Sequence, residues 1–164
     1  MAPTSLLLSA WLGAATLFAA VVAPAAFAAL PSRTLAGAVV GRVLPVVFIA
    51  GIVIAVLSLA LDRGRHGRSP RGRRTALIVT ALACGAAQFG VAPRIERVRN
   101  QIGGPIEQLA EGDPRRVAFG RLHAISVGWL GLAMLGAATT VVLTSIAPKP
   151  RTSVRGEPAS TIAR

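Results

Sequence analysis

The sequence predicts an all-α integral membrane protein, a four-helix bundle with an amphipathic helical excursion between its third and fourth spans. Two observations carry that expectation. The 164 residues include 18 basic and six acidic ones, and none of these falls in 1–32, 43–61, 75–93 or 124–148. A charge-free apolar run of about 18 or more residues crosses roughly 30 Å of hydrocarbon at about 1.5 Å per residue. The composition agrees: 53% of residues are hydrophobic, 15% are charged, and the mean hydropathy is +0.62. Soluble domains carry about a quarter of charged residues. A soluble enzyme domain, a nucleic-acid-binding module and a disordered chain are therefore excluded.

The spans are expected at about 5–30, 36–61, 75–93 and 119–146, inside a transmembrane domain 1–148 followed by a disordered basic tail, 149–164. Ala26-Phe27-Ala28 resembles a signal-peptidase site. The apolar stretch before it is too long for a signal core and has no basic residue ahead of it, so a retained first span is expected. Pro24 interrupts that span near its far end. In the second span Arg42 lies one or two turns from the start; it either snorkels to the interface or faces an interior cavity as a functional cation. Pro45 follows it. The 62–74 loop holds six arginines and His66, and reads as a topology determinant.

In the third span the single cysteine, Cys84, reads as a packing residue, and Gln88 should face another helix, because its amide needs partners in hydrocarbon. Beyond it Ile95, Val98, Ile102, Ile106 and Leu109 recur at helical spacing, with a break at Gly103-Gly104-Pro105. Asp113 is placed to N-cap the last helix, with Pro114 in its first turn. Ala15/Ala19/Ala23, Gly37/Gly41, Gly51/Ala55, Ala81/Gly85 and Ala133/Ala137 repeat small residues four apart, a spacing that lets helix backbones approach.

Seventeen of the 18 basic residues are arginine, and they lie between spans without aromatic stacking platforms or zinc-type spacings. The lipid bilayer is the expected partner, with a homo-oligomer or another membrane protein possible and no nucleic acid. Arginine density near the span ends places both termini on the cytoplasmic side. The arginine, alanine and glycine bias suggests a bacterial chain, hence an inner-membrane location.

No acid lies within a span, and neither a Ser-His-Asp arrangement nor a phosphate-binding loop is present. An enzyme is not expected, and no cofactor is. One polar site stands out: Phe119, His123 and Ser126 are spaced to share a helix face, with Gln88 and Arg42 as further members. His123 and Ser126 are expected to face the bundle interior near one interface, opposite the end of the third span, because an unpaired imidazole at membrane depth costs several kcal/mol.

Phe119-x-x-Leu122-His123-x-x-Ser126 resembles the opening of the last span in the bacterial transmembrane protein 205-like family, four-span proteins named for a domain of unknown function. Trp11-Leu-Gly13, Val22-Ala-Pro24-Ala-Ala-Phe27, Gly41-x-x-Leu44-Pro45-x-x-Phe48 and Pro93-Arg94-Ile95-x-x-x-Arg99 extend the resemblance over about 11–135. The sequence departs from the family at Leu130, where members often carry Asn. The resemblance implies no established reaction, cofactor or substrate. Three readings follow: a non-catalytic bundle, a small transport or metal-handling protein using Arg42, Gln88, His123 and Ser126, or a redox subunit with haem held by His123 of two protomers.

Overall fold

A computed structural model describes residues 3–61 and 70–146; the tail 149–164 and most of the 62–74 loop lie outside the described residues. Apart from 30–32, 103–105, 109–113 and 146 the described residues are helical, and none of them forms a strand. The first span joins α1 (Pro3–Leu17) to α2 (Ala23–Ala29), the second is α3 (Arg33–Leu61), the third joins α4 (Pro70–Gly85) to α5 (Ala92–Ile102), and the fourth is α6 (Pro114–Ser145). Four stretches are long and apolar enough to cross a membrane: Thr4–Ala29, Arg33–Leu61, Pro70–Ile102 and Pro114–Ser145. They form a ring in which the first span packs on the second and fourth, and the third packs on the second and fourth. This is a multi-pass membrane bundle. The end with the 30–32 turn and the 103–113 segment is termed the turn end; the opposite one is the termini end.

Two spans pass through a π-helical turn. Phe18–Val22 separates α1 from α2, and Ala86–Val91 separates α4 from α5. Each runs into the same tripeptide, Val22-Ala23-Pro24 and Val91-Ala92-Pro93. Proline lacks the N–H donor and its ring clashes with the carbonyl four residues earlier. Widening the preceding turn relieves both problems: Ala23 N–H reaches back five residues to the Phe18 carbonyl, and Ala92 N–H to that of Ala87. Pro45, by contrast, sits inside the unbroken α3.

The expected excursion exists but is not detached from the third span. Helix continues through the π turn to Ile102 and stops only where Gly103 adopts φ 66°, a left-handed conformation that glycine takes without a Cβ penalty. A short 3₁₀ turn, Ile106–Gln108, follows. Asp113 then caps α6, its carboxylate accepting from the Arg115 backbone N–H at 2.8 Å, with Pro114 in the first turn.

The middle of the bundle is packed by close approach. A Cβ on Gly51 would stand 2.7 Å from the Cys84 sulfur and 2.8 Å from the Trp11 ring. One on Gly136 would stand 2.5 Å from Thr80 Oγ1 and 2.8 Å from the Ala76 carbonyl oxygen. Only glycine lets these helices meet. Trp11 Nε1 donates to the Val47 carbonyl at 2.9 Å, which ties α1 to α3 and satisfies the indole inside the core.

Candidate functional site

The polar chemistry gathers at the turn end, where α3, α5 and α6 meet. Arg99, on the last turn of α5, reaches across to α3, and its Nη2 donates to the Gly37 carbonyl at 3.3 Å. Gly37 and Gly41 make this possible. A Cβ on either would lie 3.4 or 3.5 Å from the guanidinium nitrogens, so the pair forms a smooth groove with no room for a longer side chain. The small-residue spacing noted in the sequence here accommodates a guanidinium, not a helix backbone.

On its other sides Arg99 pairs with Glu96 at 3.2 Å and stands 6.0 Å from the centroid of the Phe119 ring on α6. That is the outer range of a cation–π contact. His123 stacks on Phe119, with centroids 6.4 Å apart and planes 5° from parallel. One guanidinium therefore links three helices, and the imidazole extends the stack by one turn.

A second clasp lies beside it. Glu107 accepts from the Thr34 backbone N–H at 2.9 Å and from the Thr34 hydroxyl at 2.8 Å, while Thr34 Oγ1 accepts from Ile106 N–H at 3.3 Å. The start of α3 is thereby N-capped by a residue 73 positions away. Hydrogen bonds from its own backbone and from the Thr34 hydroxyl hold the Glu107 carboxyl below its usual range. Asp113 is pushed down to about 2, mainly by the Arg115 side chain at 2.8 Å and then by the Arg115 backbone N–H. Arg116 donates to the Leu109 carbonyl at 2.8 Å and closes the 103–113 segment onto α6.

The five residues expected to form one polar site are not brought together. Phe119 and His123 meet, and Ser126 is buried on the same α6 stripe as Leu130 and Ala137. Arg42 is exposed on the outward face of α3, with Val39, Val46 and Ile49. Gln88 lies in the second π turn, and its Oε1 is buried with no hydrogen-bond partner.

His123 corrects the expectation most clearly: it is exposed and is not the interior contact of the bundle. It occupies the inner stripe of α6, three residues before Ser126, but that stripe runs past the region where α1 covers it. At this level α2 has α3 as its main neighbour and buries none of its own residues. The first span leaves α6 uncovered at the turn end. Arg99, Gly37, Thr34 and Glu107 were not singled out as a site in the sequence, although Gly37/Gly41 and the Pro93-Arg94-Ile95-x-x-x-Arg99 motif were both legible there.

A family model described as Domain of unknown function (DUF4149) matches residues 6–103. The chain belongs to that family. The matched stretch of the DUF4149 domain contains both π turns and the Gly37–Arg99 bridge, and it leaves Phe119, His123 and Ser126 outside. No curated protein and no solved structure matches the chain.

Proposed function

We propose that this DUF4149 protein is a non-catalytic membrane bundle of the transmembrane protein 205-like kind, in a bacterial inner membrane with both termini cytoplasmic. The observation that carries the reading is the closure of the turn end on itself. Arg99 and Glu107 bond to distant α3, Arg116 ties the 103–113 segment to α6, and Asp113 caps α6 locally. Their role is to hold helices together at the interface, where water competes with packing. A transport or metal-handling role around His123 finds less support. Among the described residues no three of His, Cys, Asp and Glu lie close enough to share an ion. Haem held by His123 of two protomers would use the exposed imidazole, and it is the alternative that an experiment separates most easily.

Protein extracted from membranes in mild detergent is the test. The expected outcome is an intact first span by mass, no Soret absorbance and no stoichiometric metal by elemental analysis. A Soret band lost in His123→Ala would replace the reading with the haem alternative, and a bound metal lost in the same variant with the metal-handling one. A reporter fused at Gly67 is expected to be active only in the cytoplasm.

A further inference from the structure

The arginines at the turn end divide by depth. In α3 the charge-free run 43–61 spans about 28 Å at the helical rise, close to the roughly 30 Å of hydrocarbon. In the third span the run 75–93 gives the same length. Each run is closed at the turn end by an arginine, Arg42 in one and Arg94 in the other, and Arg121 closes the corresponding run of α6. The Arg99 bridge fixes the relative heights, since it sets 37–41 of α3 beside Arg99 of α5 and Phe119 of α6. On the membrane side of that bridge Arg42 lies five residues past Gly37 and Arg94 five residues before Arg99, about 1.4 turns each, while Arg121 lies two residues past Phe119, about half a turn. They come from three different helices and lie within about one helical turn of a common level.

Farther from the hydrocarbon, Arg99, Arg115 and Arg116 meet carboxylates, and Arg97 donates back to the Pro93 carbonyl of its own helix. Every acid at this end is already engaged farther from the hydrocarbon: Glu96 with Arg99, Glu107 with Thr34, Asp113 with Arg115, and Glu111 with Arg116 at 4.0 Å. At the boundary level Arg42 and Arg121 are exposed and have no partner among the described residues, while Arg94 only donates back to the Gly90 carbonyl of its own helix. Their neighbours Val39, Val46, Val117 and Ile125 are exposed apolar side chains suited to lipid. A guanidinium there needs an anion that the protein does not supply.

We propose that Arg42, Arg94 and Arg121 form a belt that docks the phosphates of anionic phospholipids in the leaflet at the turn end. The inference rests on the membrane-spanning fold and names the lipid class its boundary selects. The guanidinium forks bind phosphate oxygens, and the surplus charge favours headgroups with a net negative charge over zwitterionic ones.

Native mass spectrometry of detergent-extracted full-length protein, given equal phosphatidylglycerol and phosphatidylcholine, reads the proposal directly. The wild type is expected to retain phosphatidylglycerol preferentially. Arg42→Gln and Arg121→Gln should each lower that preference, by about fivefold per arginine. Both side chains are exposed, so packing is preserved, and Arg42→Lys with Arg121→Lys should keep most of the preference. Arg115→Gln, whose partner is Asp113, should leave it unchanged. The basic 62–74 loop is identical in every variant, so differences report the turn end alone. An unchanged ratio in the glutamine variants overturns the proposal, and so does equal stabilisation by inorganic phosphate at matched concentration. Failure of the chain to extract with membranes would instead refute the membrane-spanning reading, a separate result.

Discussion

The middle of the bundle and its turn end are held by different physics. In the middle, Gly51 and Gly136 bring helices so close that one added methyl group collides with Cys84, Trp11, Thr80 or a backbone carbonyl. At the turn end α2 buries no residue, and Arg99 and Glu107 join neighbouring elements with charged hydrogen bonds. Hydrocarbon offers no hydrophobic drive between helices, so the middle relies on shape. Near water, polar bridges are affordable and geometry can be looser. Steric changes should therefore act globally, and polar changes locally.

Gly136→Ala should have the largest effect. The backbone oxygen of Ala76 cannot move aside, and overpacking of this kind costs about 1–3 kcal/mol. A fall in thermal stability in mild detergent measures it. Gly51→Ala should follow, since here the collision is with the Cys84 and Trp11 side chains. Combining it with Cys84→Ala should recover part of the loss, so a double-mutant cycle checks that the two residues couple. Trp11→Phe removes the indole donor to the Val47 carbonyl and the part of the ring that packs on Gly51, for a loss of at least about 1 kcal/mol.

At the turn end, Gly37→Leu should displace Arg99 and lower stability less than Gly136→Ala does, since solvent and lipid can take up the released guanidinium. The smallest effect is on pH. Asp113 is held at about 2 against a usual 3.8, so its contribution is complete at neutral pH and is lost as pH falls from about 4 to about 2. Glu107 is depressed as well and acts in the same direction. Acid should loosen the 103–113 segment before it affects the core, as amide exchange in that segment would reveal.

The sequence made the spans legible because charge is absent from hydrocarbon for a strong physical reason. Gly103 and Asp113 were readable too, one as part of a Gly-Gly-Pro break and the other as a helix cap next to proline. The π turns were not. Val-Ala-Pro marks a proline in a span but does not say whether the helix bends, breaks or widens. The position of His123 failed for another reason. Spacing correctly put it on the stripe of Ser126, yet periodicity gives an azimuth and not the neighbour that covers it, and α2 turns toward α3 instead. Arg99 was visible as part of a motif and Gly37/Gly41 as a small pair. Joining them required knowing that α5 continues the third span and lies across α3.

Hydrogen–deuterium exchange on Arg99→Gln beside Gly136→Ala tests the two-region account most directly. Arg99→Gln should speed exchange in 33–41 and 94–119 alone, leaving 47–58 and 126–140 as protected as in the wild type. Gly136→Ala should speed exchange in all four segments. Uniform deprotection by Arg99→Gln, or an effect of Gly136→Ala confined to its own turn, would contradict it.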